Sequence, residues 1–493
     1  MTALSSTGPG TDPALGALAD AVLIPPFPGT AAPAWLLRAL ERGLAGVTLF
    51  GSNVTGDTAA LSAVLRGAAA SEPVIAIDEE GGDVTRVAYA AGSPYPGNAA
   101  LGAVDDVALT RAVYAAIGAD LARLGINVNL APCADVLHAE GNAVVGTRSF
   151  GAGTALVARH AAAAVTGLQS SGVAACAKHF PGHGAAGGDS HLALPVVAGT
   201  MDDIRRRDLP PFTAAIAAGS AAIMPGHLLI PELTGSLPAT LSPAAVTGLL
   251  RGELGFGGVV ICDALEMKAA SAAFGIPEAA VLAVLAGVDL LCLGRDTDEA
   301  MYHAVRAALA TAVADGRLPG ARLEEAAQRV TALRALLARG PDAAGGVAAG
   351  GPEAGADIGL VAARRALRRS GPVPSSLADP LVIEVEPAEN IAAGRFTWGF
   401  EPWAATARVD PAGGAARAGE VIAMAGGRPL VLAVRDARTV AALIGQVLTG
   451  RPDTVVVEMG VPAWTPPPRT AYLATYGASR VCAQAAAEAL GLA

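Results

Sequence analysis

Eight short apolar runs, each followed by a stretch with helical character, recur along the first two thirds of the chain. The runs span 21–27, 46–50, 73–80, 126–135, 172–180, 221–227, 258–264 and 288–294, and turn residues bound each of them. Between them, stretches such as 59–70, 108–125 and 155–172 repeat apolar residues at helical spacing. A helix linking consecutive strands makes them parallel, and eight such units close most simply into a (β/α)8 TIM barrel. An open doubly wound sheet is the alternative, but no Gly-x-Gly-x-x-Gly follows the first strand.

The barrel pattern fades near residue 340, where Gly, Ala and Pro dominate and periodicity disappears. We therefore expect a barrel domain over 1–340, a linker over 341–357 and a smaller α/β domain over 358–493. Strand-like runs at 381–386, 429–436 and 454–460 and a last helix near 477–491 support the second domain.

Of the 493 residues, 52% are hydrophobic and 16% charged, enough apolar material for large buried cores. With a net charge of -10 and no basic patch, nucleic acid is not an expected partner, and a small neutral or polar ligand is. No uninterrupted apolar stretch approaches a membrane span, and no secretory signal is readable at the start, so cytoplasmic is the expected location. Cys133, Cys176, Cys262, Cys292 and Cys482 lie far apart in apolar contexts, which fits reduced thiols better than a disulfide framework.

Chemistry concentrates in "KHFPGHGAAGGDSH", residues 178–191. The chain has only seven histidines and two lysines, and this segment holds Lys178, His179, His183 and His191. His179 and His183 have the four-residue spacing of a helical metal site, but Pro181 and Gly182 between them argue against a helix and hence against a metal. Lys178 and His179, at the end of the fifth strand, either point into the barrel mouth or lie solvated on its rim. Asp189 and His191 follow two glycines, so their loop can swing an imidazole over a substrate while the carboxylate fixes its tautomer.

In such barrels the C-terminal strand ends carry the reactive groups. Strand three ends in Asp78, Glu79 and Glu80, strand six in His227 and strand seven in Asp263. Asp263 in "VVICDALEM" is either a nucleophile aimed at an electrophilic carbon or a cap for the helix that follows. A nucleophilic carboxylate, an acid/base His and a nearby cation suit cleavage of a glycosidic bond.

The stretches "IDEEGGDVTR" (77–86), "GTRSFG" (146–151), "KHFPGHGAAGGDSH" (178–191), "IMPGH" (223–227) and "CDALEM" (262–267) resemble the signatures of glycoside hydrolase family 3. The closest likeness is to its β-N-acetylglucosaminidase branch. This resemblance implies a retaining double displacement on a terminal β-linked N-acetylglucosamine of muropeptide or chitin-type oligosaccharides. It implies Asp263 as nucleophile, His191 partnered by Asp189 as acid/base, and Asp78, Arg86, Arg148, Lys178 and His179 as sugar-binding residues. No cofactor or metal is implied. Glu79 departs from the Gln or His frequent in the family at that position. The competing readings are a phosphorylase using the same residues, a non-catalytic glycan sensor and a metal-dependent hydrolase.

Overall fold

A computed structural model describes residues 12–138, 142, 144–188, 190, 192–340, 352–387, 393–394 and 396–493. The chain divides into two compact units, each assembled from separated stretches. The first comprises 1–79, 114–142 and 152–349, and the second 80–113, 143–151 and 350–493.

The first unit carries the eight expected strands: β1 (Leu23–Ile24), β2 (Gly46–Leu49), β3 (Val74–Ile77), β4 (Val128–Asn129), β5 (Ala174–Phe180), β6 (Ala222–Pro225), β7 (Val259–Val260) and β8 (Leu291–Cys292). Strands β2 to β7 pair in parallel in chain order. Ile261 then bridges Leu290, Leu23 pairs with Leu291, and Thr48 N donates to Pro25 O at 3.4 Å. These links close the circle into the (β/α)8 barrel read from the sequence.

Regular pairing is shorter than the apolar runs. Pro25, Pro26 and Pro132 lack the N–H a ladder needs, which cuts β1 and β4 to two residues each. Local sequence also sets the spacing of the elements. A Cβ at Gly46 would lie 1.9 Å from Val74 O, so only glycine lets β2 approach β3. Gly287, with φ 113°, ends the helix Ile276–Ala286 in the left-handed region and turns the chain into β8.

The helix Thr154–Gln169 shows how the outer layer is held. It buries Val157, Ala161, Ala164, Val165 and Leu168, one face at three- and four-residue spacing. All five cysteines are buried, without a disulfide among the described residues. Burial pushes the thiol of Cys292 up to about 12 and those of Cys176 and Cys262 well above their ordinary value, so they act as small apolar side chains.

The second unit is built on a six-stranded sheet. Its strands are β9 (Arg368–Ser370), β10 (Leu381–Val385), β11 (Ala405–Val409), β12 (Leu430–Val434), β13 (Val455–Glu458) and β14 (Ala471–Ala474). The spatial order is β9-β14-β13-β12-β10-β11, parallel except for β9. Apolar clusters cover both faces, one around Val431, Val457 and Leu473 and one around Leu432, Val456 and Ile444. The expected last helix runs Arg480–Ala489, with Ser479 Oγ accepting from Cys482 N as its cap. The helix Pro352–Ala366 begins inside the Gly/Ala/Pro-rich stretch. Among the described residues no helix is long and apolar enough to cross a membrane.

Candidate active site

Of the residues that the sequence singled out, Asp78, Lys178, His179 and Asp263 lie at the C-terminal ends of barrel strands. Asp78 directly follows β3 and Lys178 lies within β5, and their side chains meet, Lys178 Nζ to Asp78 Oδ1 at 2.5 Å. Lys178 is 3% exposed and Asp78 22%, so the pair opens towards solvent on the carboxylate side. Lys178 is therefore directed at another strand end, not spread on the rim.

Asp263 stands just beyond β7, half-buried, with Oδ1 accepting from Ala264 N at 2.8 Å. The next helix starts only at Lys268, so Asp263 does not cap it. Asp78, Lys178 and Asp263 stand at the C-terminal ends of three parallel strands, β3, β5 and β7. Two carboxylates and one ammonium thus converge on one end of the barrel. His227, from the loop after β6, places Nε2 3.0 Å from Ala264 O and braces the backbone beside Asp263.

His179 is 6% exposed, and its Nδ1 lies 2.7 Å from Asp135 Oδ2. Asp135 is fully buried and gathers further donors: His179 N at 3.2 Å and His183 N at 2.7 Å on Oδ1, and Cys133 Sγ at 3.1 Å on Oδ2. Burial alone would raise this carboxyl, but the neighbouring His179 and His183 outweigh it and hold Asp135 well below the usual carboxylate range. An anionic Asp135 accepts the proton on His179 Nδ1 and so fixes the tautomer and orientation of the ring. Asp135 is not among the residues singled out from the sequence, although it ends the fourth apolar run much as Asp78 and Asp263 stand near the ends of theirs.

The segment after Lys178 is not helical, and the peptides Lys178–His179 and Phe180–Pro181 are cis. His183 turns back into the protein and packs edge-on to His179, ring centroids 5.8 Å apart. Its role is to brace the loop, with Asn142 Nδ2 donating to His183 O at 3.0 Å. Gly182 leaves room for the buried Asp208, whose Cβ would lie 2.5 Å from an added Cβ there. Burial raises Asp208 to about 6, against the opposing pull of Arg207. A short antiparallel ladder joins Ala186–Gly187 to Val196–Val197. Asp189 and His191 lie outside the described residues.

Arg86 and Arg148 belong to the second unit. Arg148, 8% exposed, forms a two-point ion pair with Glu80, Nε to Oε2 at 2.9 Å and Nη2 to Oε1 at 2.6 Å. Arg148 Nη1 also donates to Val144 O at 3.2 Å, and Asn98 Nδ2 donates to Arg148 O at 2.7 Å. Arg86 is half-buried and reaches Ala393 O at 3.5 Å. Glu79 exchanges two backbone bonds with the side chain of Asn129 and so fixes the end of β3.

Cys133, Asp135 and His179 are the candidate metal ligands among the described residues, with one ligand atom each inside 4.8 Å of the others. Their ligand atoms already bond to one another, Asp135 Oδ2 accepting from the other two, which accounts for the grouping without an ion.

The family model described as "Glycosyl hydrolase family 3 N terminal domain" matches residues 34–333. A beta-hexosaminidase of Stenotrophomonas maltophilia is 37% identical over 272 residues, covering 53% of this chain and 80% of that protein. Beta-hexosaminidase LpqI of Mycobacterium tuberculosis is 36% identical, covering 59% of this chain and 75% of its own length. In structure, the chain is similar to a family 3 beta-N-acetylglucosaminidase from Paenibacillus sp. FPU-7, with a TM-score of 0.82 and 31% identity over 96% of this chain and 95% of that one. The match across the whole barrel, and across the second unit as well, shows that the chain belongs to glycosyl hydrolase family 3 and is a glycoside hydrolase.

Proposed function

We propose that the protein is a retaining exo-β-N-acetylglucosaminidase. The observation that carries this reading is the Lys178–Asp78 pair and Asp263 at the same end of a barrel that is similar to beta-hexosaminidases. In the first step an Asp263 oxygen attacks C1 of the terminal sugar while His191, oriented by Asp189, gives a proton to the departing oxygen. The product is a glycosyl ester on Asp263 and a free aglycone alcohol. In the second step His191 takes a proton from water, the hydroxide oxygen bonds to C1, and Asp263 leaves as a carboxylate.

The other residues hold the sugar. Asp78 accepts hydrogen bonds from hydroxyls, while Lys178, Arg86, Arg148 and His179 contact oxygens around the ring. The substrate is a muropeptide fragment or chitin-type oligosaccharide ending in β-linked N-acetylglucosamine, and the location is cytoplasmic. Activity requires neither metal nor cofactor.

Incubation with para-nitrophenyl β-N-acetylglucosaminide, with and without phosphate, tests the reading. Free N-acetylglucosamine under both conditions is expected. Sugar 1-phosphate in phosphate buffer makes the protein a phosphorylase, and binding without turnover makes it a glycan sensor.

A further inference from the structure

Within the second unit, the buried carboxylate of Asp83 joins two loops and the C-terminal sheet. Asp83 is three residues beyond Glu80 in the tight turn "EGGDV", where Glu80 N donates to Val84 O at 3.0 Å and Gly81 and Gly82 take positive φ. Asp83 Oδ2 accepts from Thr147 Oγ1 at 2.6 Å, and Thr147 is the neighbour of Arg148. The same oxygen pairs with the Nη2 of Arg435, which directly follows β12, and Oδ1 accepts from Ala478 N at 3.0 Å, two residues before the last helix. The Arg435 guanidinium is pinned in turn, 5.1 Å from the ring centre of Phe396 and 5.8 Å from that of Trp398.

The two ends of the Arg148–Glu80 pair therefore share one anchor. Glu80 is fixed through its turn and Arg148 through Thr147, and both converge on Asp83. We propose that Arg435 and Asp83 are positioning residues that set the Arg148–Glu80 pair for sugar binding. The C-terminal sheet thereby contributes to substrate affinity without touching substrate. This inference rests on the sugar-binding reading of Arg148 given above.

A double-mutant cycle on the full chain tests it, with para-nitrophenyl β-N-acetylglucosaminide as substrate. Arg435→Gln is expected to raise KM about tenfold while kcat changes by less than about threefold, as for a lost binding contact. Arg148→Lys is expected to raise KM as well. In the Arg148→Lys background, Arg435→Gln is expected to add less than about twofold, because both changes act through one contact. Arg435→Lys, which keeps the charge on Asp83, is expected to restore most of the affinity; if Arg435→Gln does not fold, Arg435→Met, which also removes the donor to Asp83 but keeps an apolar stem beside Phe396 and Trp398, takes its place in the cycle.

A KM unchanged by the Arg435 variant, or raised equally in both backgrounds, overturns the positioning role. A KM unchanged by Arg148→Lys overturns the sugar-binding reading of Arg148, and with it the route from Arg435. A purely structural role for Arg435 lowers the melting temperature without producing the non-additive KM.

Discussion

Asp135 Oδ2 lies 2.7 Å from His179 Nδ1, and the same carboxylate holds the backbone N–H groups of His179 and His183. Asp135→Asn keeps the shape but sets an amide N–H against a donor. Since the buried acceptor serves several donors, a stability loss of about 2–4 kcal/mol is expected, measured by urea unfolding. The activity loss should be on the order of 10–100-fold in kcat/KM, from a misoriented imidazole. The folded-state carboxyl is depressed, so its stabilisation is complete above the ordinary carboxylate range and fades as pH falls through the folded value. The stability gap between wild type and variant should therefore narrow only on strong acidification.

Asp208 has the opposite sign. Its carboxyl is raised to about 6, so the folded protein holds that proton more tightly than the unfolded chain does. Any stability linked to the proton is present below the ordinary carboxylate range and declines until about pH 6. Melting temperatures of wild type minus Asp208→Asn, followed from pH 4 to pH 8, should fall by several degrees up to about pH 6 and then level off. A flat difference would show that Arg207 compensates for the burial of Asp208.

Lys178→Met removes the buried cation opposite Asp78. The expected cost is near the lower end of the roughly 3–5 kcal/mol typical of a broken buried pair, because water reaches Asp78. The double change Lys178→Met/Asp78→Asn should recover part of that stability, though not the activity.

Asp263→Asn should abolish turnover by at least about 10³-fold while leaving N-acetylglucosamine binding, read by calorimetry, within a few-fold of wild type. His191→Ala should slow substrates with alkoxide leaving groups far more than aryl glycosides, since a phenolate departs with little protonation. Equal losses on both would remove the acid role from His191.

The barrel was readable because eight apolar runs recur with helices between them, and this pattern is set locally within each strand–helix repeat. Strands β9, β11 and β14 were missed for a local reason: "RRS" is fully exposed, "ATARV" mixes exposed, half-buried and buried residues without alternation, and "AYLA" is as compatible with a helix as with a strand. At the site, strand-end position pointed to Asp78, Lys178 and Asp263 and applied equally to Asp135, whose histidine partners lie 44 and 48 residues further along the chain. Asp83 and Arg435 are 352 residues apart. No periodicity or motif spacing relates such a pair, because only the folded chain brings them together.

The interleaving of the two units constrains how this protein can be cut or rearranged. The second unit takes 80–113 and 143–151 from the barrel half of the sequence and 350–493 from the other side of the Gly/Ala/Pro-rich stretch. A protease acting between residues 341 and 351 would nick the chain without releasing a self-contained module. A fragment ending at residue 340 would keep loops whose folding partners it had lost, with Val84 and Asp83 stripped of the cover they share with the C-terminal sheet. Shuffling of this protein, by recombination or by design, has to move both halves together or rebuild those two excursions.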